Sequence, residues 1–520
     1  MKYLIVIILM IISLMLYSQS DYLSDANSNF DDENYEVALK QYLKVYKKYS
    51  NDALINYRIG FCYLKTNYNK KQALHYLLKA DSLKPNISPT ILYDIALAYF
   101  HNYKFDSSET YLKRYLTNKK LKPEELANID KTFETIQNAK KLISTPINVT
   151  FINLGKNINS PQDDYIPFIT EDENFMAFTS ARKYISDFQE FIKGVYFSRK
   201  SNGVWSPAAS ASSKINTDEN EEVVGISKDG NILLVHVNRT SNPHDIFYSE
   251  RNKSGNFTEL KDFGPPINSK YEEIGASLSV TGDTLYFSSN RPGGLGGFDI
   301  YMSFRLPNNK WSQPVNLGPP INSPADENYP YITADGKKLY FCSNGFNSMG
   351  GYDIFKSILT EEGKWSEPEN LGYPINDTYD NFNIALTSNS RYGYISKYDS
   401  TSLGGLDIYR VIFNDVPPTS IAFTGSIFVG DSLHATPYKQ VDSLITIVVY
   451  NKNNLSETYT YQPSKKGKYT IALTPGEWIL EITGDAYEKY TQNIIIRDEQ
   501  PTQTIYFRNI YLKQKTKPKK

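Results

Sequence analysis

An aspartate returns at a fixed interval through the middle of this chain. Asp245 in "PHDIFY", Asp299 in "GGFDIY", Asp353 in "GGYDIF" and Asp407 in "GGLDIY" each follow the one before by 54 residues. An "IN" pair precedes each acid, ending at Asn216, Asn268, Asn322 and Asn376, and an aromatic follows three of them, at Phe257, Trp311 and Trp365. An earlier, degraded copy opens with "INSPQDDYIPFIT", has Gly194 in the place of the acid, and ends on Trp205. Each copy holds four short β-prone runs separated by turns, such as "YPYIT", "KKLYFCS", "DIFKSIL" and "KWSEPENLG". Four strands per repeat is the pattern of propeller blades. A lone blade has bare edges and little core, so the copies over 145–415 are expected to pack side by side around an axis. "NVTFINLG", residues 148–155, matches the end-of-repeat "SQPVNLG", while the last copy stops near Phe413 without that strand. The early strand is therefore expected to complete the last blade and close a ring of five; six would require a blade that the sequence does not show.

The stretch "RPGGLGGFDIYMSF" raises a choice between a phosphate cradle and a turn. A dinucleotide loop needs G-x-G-x-x-G running into a helix whose amides face phosphate. Here Asp299 stands at the last position and a strand follows, so the acids Asp245, Asp299, Asp353 and Asp407 are read as structural, each tying down its own turn. The paired acids Asp163/Asp164, Glu221/Glu222, Glu272/Glu273 and Asp326/Glu327, with Asp380 alone in the last copy, recur as well. They either bond backbone amides between neighbouring blades or ring a channel mouth and hold a hard cation through oxygens. Tyr329, Tyr331 and Tyr352 are candidates for a contact surface on the propeller, with packing as the simpler reading. The repeats resemble the WD-like propeller repeats of bacterial envelope proteins, on "LYFSSNRPGGLGGFDIY" and "LGPPINSPADENYPYITADGKKLYF".

Residues 21–144 carry helical periodicity with a small residue once per helix. Ala26, Gly60 and Ala96 are 34 and 36 apart, Ala38 and Ala73 are 35 apart, and Ser108 takes the small position of the third copy. This spacing resembles the tetratricopeptide repeat, which implies a stacked α-hairpin array with a concave groove for a peptide or protein. Residues 416–510 alternate apolar and polar at period two, with turn signals at Lys466-Gly467 and Pro475-Gly476. About seven strands in that length suggest a sandwich. "GKYTIALTPGEW" resembles the carboxypeptidase regulatory-like domain, which implies a transthyretin-type fold; Trp478 stands where that family usually has Tyr.

The N-terminus, 1–20, reads as an export signal: Lys2, then Leu4 to Leu16 apolar apart from Ser13, then Ser18-Gln19-Ser20. Its apolar run falls short of the ~20 residues of a membrane span, so none is expected once it is cleaved. Lys plus Arg is 56 against 57 Asp plus Glu, which gives no field to concentrate nucleic acid. The two cysteines, Cys62 and Cys342, are read as small buried residues. Gly430-Asp431-Ser432-Leu433 spells the nucleophile block of GDSL esterases, but only His434 follows it and no Asp-x-x-His lies downstream. His75, His101, His236, His244 and His434 show no ligand spacing, with His236 and His244 read as ordinary strand and loop residues. No cofactor, metal or catalytic residue is expected, and the chain is read as non-enzymatic.

The order of modules, with a lysine-rich tail over 511–520, resembles PorE-type periplasmic proteins of the type IX secretion and gliding machinery. Those typically add a C-terminal OmpA-like domain that binds peptidoglycan; this sequence stops about where it would begin, so no peptidoglycan-binding domain is expected. The implied reading is a multidomain α plus all-β scaffold or adaptor in the periplasm, held at the outer membrane by envelope-protein partners. The alternative is a sensor of glycan or peptide binding at the propeller axis.

Overall fold

The computed structural model describes residues 22–117, 121–186, 190–239, 242–431, 433–440, 443–499 and 503–515. The expected export signal, Ser432 and tail residues 516–520 lie outside them. The chain divides into two compact units, one holding the helices together with most of the 145–412 region, the other built on residues 413–520.

The first unit begins with helices α1 (22–31), α2 (Tyr35–Tyr49), α3 (Ala53–Lys65), α4 (Ala73–Leu83), α5 (Ile91–His101), α6 (Phe105–Thr117) and α7 (Pro123–Ser144). Small residues stand where helices meet: Ala26, Ala38, Ala73, Ala96 and Ser108 are wholly buried. A methyl group on Gly60 would lie 2.6 Å from the Leu77 side chain, so α3 and α4 approach that closely only because Gly60 has none. Ser108 Oγ donates to the Ala96 carbonyl at 2.7 Å, which satisfies a hydroxyl buried between α5 and α6. Asp52 caps α3 by accepting from the Ile55 amide at 3.0 Å.

Five antiparallel sheets follow in succession. They are β2 (Asp164–Ile169), β3 (Phe175–Ile185), β4 (Glu190–Ser201) and β5 (Val204–Trp205), with β6 (Ala209–Ser210) also on β4; then β7 (Asn220–Ile226), β8 (Ile232–Arg239), β9 (Asn242–Glu250) and β10 (Lys261–Asp262). The third is β11 (Glu273–Leu278), β12 (Thr284–Ser289), β13 (Asp299–Phe304) and β14 (Val315–Asn316); the fourth is β15 (Glu327–Ile332), β16 (Lys338–Ser343), β17 (Asp353–Ile358) and β18 (Glu369–Asn370). The fifth is β19 (Ala385–Leu386), β20 (Tyr392–Lys397) and β21 (Asp407–Phe413), and its outer strand is β1 (Val149–Asn153) from the start of the region. Ile169, Met176 and Phe178 of the first sheet share one apolar cluster with Ala385, Tyr394 and Ile408 of the fifth, so the last sheet packs on the first as the blades of a β-propeller do.

One asparagine per copy fastens each sheet. Asn322 Oδ1 accepts from the Ile300 amide at 2.8 Å, and its Nδ2 donates to the Ile300 carbonyl at 2.9 Å. Asn216 does the same to Val195, Asn268 to Ile246, Asn376 to Ile354 and Asn159 to Ile408. The side-chain amide thus satisfies strand groups beside the main-chain bond that the same carbonyl accepts in three copies, from Leu154, Leu317 and Leu371, and the isoleucine before it (Ile158, Ile215, Ile267, Ile321, Ile375) is buried.

The second unit pairs two sheets around one core that includes Trp478, Ile447, Ile471 and Leu480. In one, β22 (Ile421–Val429) carries β23 (Thr436–Pro437) and β26 (Lys468–Leu473), with β29 (Ile505–Phe507) and β30 (Ile510–Leu512) parallel to it. The other runs β25 (Asn454–Tyr461), β24 (Ile445–Asn451), β27 (Gly476–Gly484), β28 (Tyr487–Ile496). Every second residue of β26 is buried, as its period-two pattern demands. Trp478 buries its ring and donates its indole N–H to the Thr474 carbonyl at 2.8 Å.

Candidate functional site at the ring axis

The repeat acids close their own turns. Asp299 Oδ2 accepts from the Leu295 amide at 2.6 Å and from Asn316 Nδ2 at 2.9 Å. Asp353 accepts from the Met349 amide at 2.9 Å and Asn370 Nδ2 at 2.8 Å, and Asp407 from the Leu403 amide at 3.0 Å and Asn153 Nδ2 at 2.8 Å. Asp245 sits in the β8–β9 ladder opposite Val237. Burial drives the Asp353 carboxyl up to about 7 and that of Asp407 up to about 6. The glycines before three of these acids admit the next sheet. A methyl on Gly296 would lie 1.7 Å from the Ala325 carbonyl oxygen, one on Gly350 2.3 Å from that of Tyr379, and one on Gly404 2.3 Å from that of Pro161. No helix follows, so the stretch is a turn pressed between blades.

The paired acids divide their work. The first of a pair reaches the preceding sheet: Asp326 Oδ1 accepts from the Phe298 amide at 3.0 Å, Asp380 Oδ1 from Tyr352 at 2.9 Å, and Asp163 Oδ1 from Leu406 at 2.8 Å. The second turns back on its own loop: Asp164 takes the Ser160 amide, Glu221 that of Thr217, Glu273 that of Ser269 and Glu327 that of Ser323. In the second sheet the pairing read from sequence is off by one. Asn220 holds the first place, accepting from the Lys193 amide at 2.9 Å, and Glu221 holds the second. Glu222 is one residue further on, and neighbouring strand residues face opposite ways. Among the described residues, no group of three or more His, Cys, Asp and Glu is placed to hold a metal ion.

Glu222 belongs to a polar corner that the other sheets lack. In the column before the repeat acid the others carry Phe298, Tyr352 and Leu406, where the first two sheets have Lys193 and His244. At the place of Glu222 the others have Tyr165, Ile274, Asn328 and Phe382. Opposite Glu222 on β8 stands His236, whereas Tyr165 faces Thr179 and Asn328 faces Cys342. Lys193 Nζ lies 2.5 Å from Glu222 Oε1, with the lysine side chain 45% exposed and the glutamate 10%. Tyr165 donates its hydroxyl to the same oxygen at 3.3 Å. The His236 and His244 rings stack at 5.5 Å, with Nε2 of one 3.4 Å from Nδ1 of the other. Burial pushes His236 down to about 4, against the pull of Glu222, so it is neutral at pH 7. Burial would raise the Glu222 carboxyl, but the Lys193 ammonium, His236 and the hydrogen bonds it accepts bring it below the ordinary range. The glutamate in turn raises Lys193. The corner therefore presents an ion pair and two stacked imidazoles, one of them neutral at pH 7.

Tyr329 adjoins this corner. Burial first, then the charges of Glu222 and Tyr165, push its phenol well above the usual value. Its ring meets Phe382 at 5.7 Å, and Phe382 meets Tyr352 at 5.9 Å, where the Tyr352 hydroxyl donates to Asp326 Oδ2 at 3.3 Å. Two of the three tyrosines singled out in the sequence thus gather around Phe382. Tyr331 does not: it is buried opposite Tyr340, under the Lys228 ammonium at 3.7 Å. The helices approach this same region, with Asn67 Nδ2 donating to Asp163 Oδ2 at 2.8 Å and the Lys40 ammonium 4.4 Å over the Phe191 ring.

His236 is a strand residue, as read, whereas His244 lies within β9 and not in a loop. Their spacing of eight is the span of the β8–β9 hairpin, which brings them face to face. A column-by-column comparison of the five copies would have exposed the corner, since Lys193, Glu222, His236 and His244 all depart from their columns. In the GDSL block, Asp431 accepts from the Leu433 and His434 amides, each at 3.0 Å, and His434 is 83% exposed. Both cysteines are buried and free.

No family model matches the chain. No curated protein matches it either. Solved structures similar to it include the periplasmic gluconolactonase PpgL of Pseudomonas aeruginosa (9% identity, 65% of this chain and 86% of that one, TM-score 0.28). An α-L-arabinofuranosidase from Lactobacillus brevis overlaps at 12% identity, 49% of this chain and 91% of that one, TM-score 0.32. A puromycin hydrolase overlaps at 10%, 49% of this chain and 40% of that one, TM-score 0.27. These neighbours are enzymes by name, as are the prolyl endopeptidases that also match, and this corrects the expectation of a non-enzymatic chain. Overlaps of this size transfer no activity to this protein. Among the described residues no helix is long and apolar enough to cross a membrane.

Proposed function

We propose that this chain is a periplasmic scaffold or adaptor that binds envelope proteins at the outer membrane, within machinery of the type IX secretion or gliding kind. In this reading the seven helices are a tetratricopeptide-like array, the five sheets a closed WD-like propeller, and the 413–520 unit a carboxypeptidase regulatory-like, transthyretin-type sandwich, the order that resembles PorE-type proteins. One observation carries it: Met349, in the turn between β16 and β17, is buried in the same apolar cluster as Phe100 and Ile136 of the helices, so helices and propeller form one platform. Such a platform suits the docking of macromolecules on fixed surfaces. Cross-linking in intact cells followed by peptide identification tests it. Cross-links from helical residues to secretion or outer-membrane components support the proposal; recovery of the chain with no envelope partner overturns it.

A second reading is favoured by the Lys193–Glu222 pair: a small ligand bound at the propeller axis, with the chain acting as a sensor. A shift in melting temperature on adding oligosaccharides or peptides to the purified chain would support that reading, and its absence would count against it.

A further inference from the structure

Resting on the second reading, we propose that the axial corner formed by Lys193, Glu222, His236 and His244, with Phe382 and Tyr329 beside it, binds an uncharged saccharide. Three observations lead there. The first is charge balance. Lys193 and Glu222 neutralise each other at 2.5 Å, and His236 is neutral above mildly acidic pH. A carboxylate or ammonium ligand would have to break an ion pair that is already made. A hydroxyl group need not break it, because it both donates and accepts. Adjacent hydroxyls of a sugar ring can give a proton to a Glu222 oxygen and take one from the Lys193 ammonium.

The second observation is the neighbouring surface. Phe382 and Tyr352 are only partly buried, and with Tyr329 they form a run of ring contacts at 5.7 and 5.9 Å. A pyranose has an apolar C–H face and a polar rim, which fits an aromatic wall beside a hydrogen-bonding corner. The third is the pattern of the repeat. Lys193, His244, Glu222 and His236 leave their columns at four separate sequence positions, and the fold brings all four to one place. Packing alone is already satisfied by phenylalanine, tyrosine, leucine, isoleucine, asparagine, threonine and cysteine at those columns in other sheets. Departures that converge mark a site rather than drift.

Calorimetric titration of the whole chain tests this, with maltose and N,N′-diacetylchitobiose as neutral probes, digalacturonate as an acidic probe and trialanine as a peptide probe. The expected result is binding of a neutral disaccharide, unchanged between low and high salt, and at least about tenfold tighter than digalacturonate or trialanine. K193M and E222Q are each expected to weaken it by about tenfold or more, and melting curves show whether they fold. Selectivity among the probes is read on the unaltered chain and does not depend on those variants. Preference for digalacturonate or trialanine, abolished by K193M, would overturn the neutral-sugar assignment and leave the axial ligand standing. Silence of all four probes up to ~10 mM, the weak end of specific affinities, or binding that both folded variants retain, would overturn the site itself.

Discussion

Asn322 spends both ends of its amide on one neighbour, Ile300, and keeps a further bond to Asn316 Oδ1 at 2.8 Å. Asn322→Ala would leave the Ile300 amide buried without its partner, while the carbonyl keeps the Leu317 amide at 3.1 Å, a loss of about 1–2 kcal/mol by the usual cost of one stranded backbone group. Urea denaturation measures it. His236 offers a second test at this scale. Its folded value, about 4, lies below the ordinary 6.5, so between the two the unfolded chain binds the extra proton. Its contribution to stability is therefore complete above about pH 6.5 and is lost as the pH falls toward 4. The groups facing it, Glu222, His244 and Lys193, are common to both chains compared. His236→Gln removes the titration, so the difference in melting temperature between wild type and variant should shrink on acidification across that window. A difference constant from pH 7 to 4.5 would rule the buried neutral imidazole out.

The turn between the second and third strands of a blade shows what a sequence can and cannot say about an element. Its glycines are visible as a turn, and Asp299 as the acid that ties it. What the glycines face is not visible, because the Ala325 carbonyl comes from the next blade. Gly296→Ala would set a methyl 1.7 Å from that oxygen with φ no obstacle, whereas Gly318, at φ +61°, has nothing within 4 Å of an added methyl. Gly318→Ala should cost about 1 kcal/mol, the penalty for a side chain on a left-handed backbone. Gly296→Ala should cost several times that, since backbone must move. Equal costs in urea denaturation would mean that blade contact does not govern the turn. The same limit explains the rest of what sequence could and could not give. The 54-residue period, the returning β1 and the alternation in β26 are local or repetitive signals and were readable. The slip at Glu221/Glu222 was not, because Asn220 fills an acid's place without being an acid. Nor was the polar corner, because its residues come from different strands and each alone looks ordinary.

At the scale of the molecule, nothing periodic in the sequence links the helices to the sheets, yet they form one unit. The link is a set of contacts from two turns of the ring, at residues 348–349 and 378–379. Met349 is wholly buried among helical residues, Asn138 Nδ2 donates to the Ser348 carbonyl at 3.1 Å, the Lys70 amide donates to the Tyr379 hydroxyl at 3.0 Å, and His101 Nδ1 lies 3.3 Å from Thr378 Oγ1. Burial first, and then the nearby Lys70 ammonium, hold the His101 imidazole well below its ordinary value, so it is neutral at pH 7. An aspartate in place of Met349 would have to bury a carboxylate there, at a cost of several kcal/mol unless the surfaces part. Parting is the cheaper outcome, because each side keeps a core of its own. In the wild type, helical ellipticity at 222 nm, which follows α1 to α7, should melt together with the emission of Trp205, Trp311 and Trp365 in the sheets. In Met349→Asp the ellipticity should be lost at a lower temperature than the tryptophan signal. If the two signals still coincide and merely shift together, the helices and the ring are joined by more than this contact, and the platform is a single folding unit throughout.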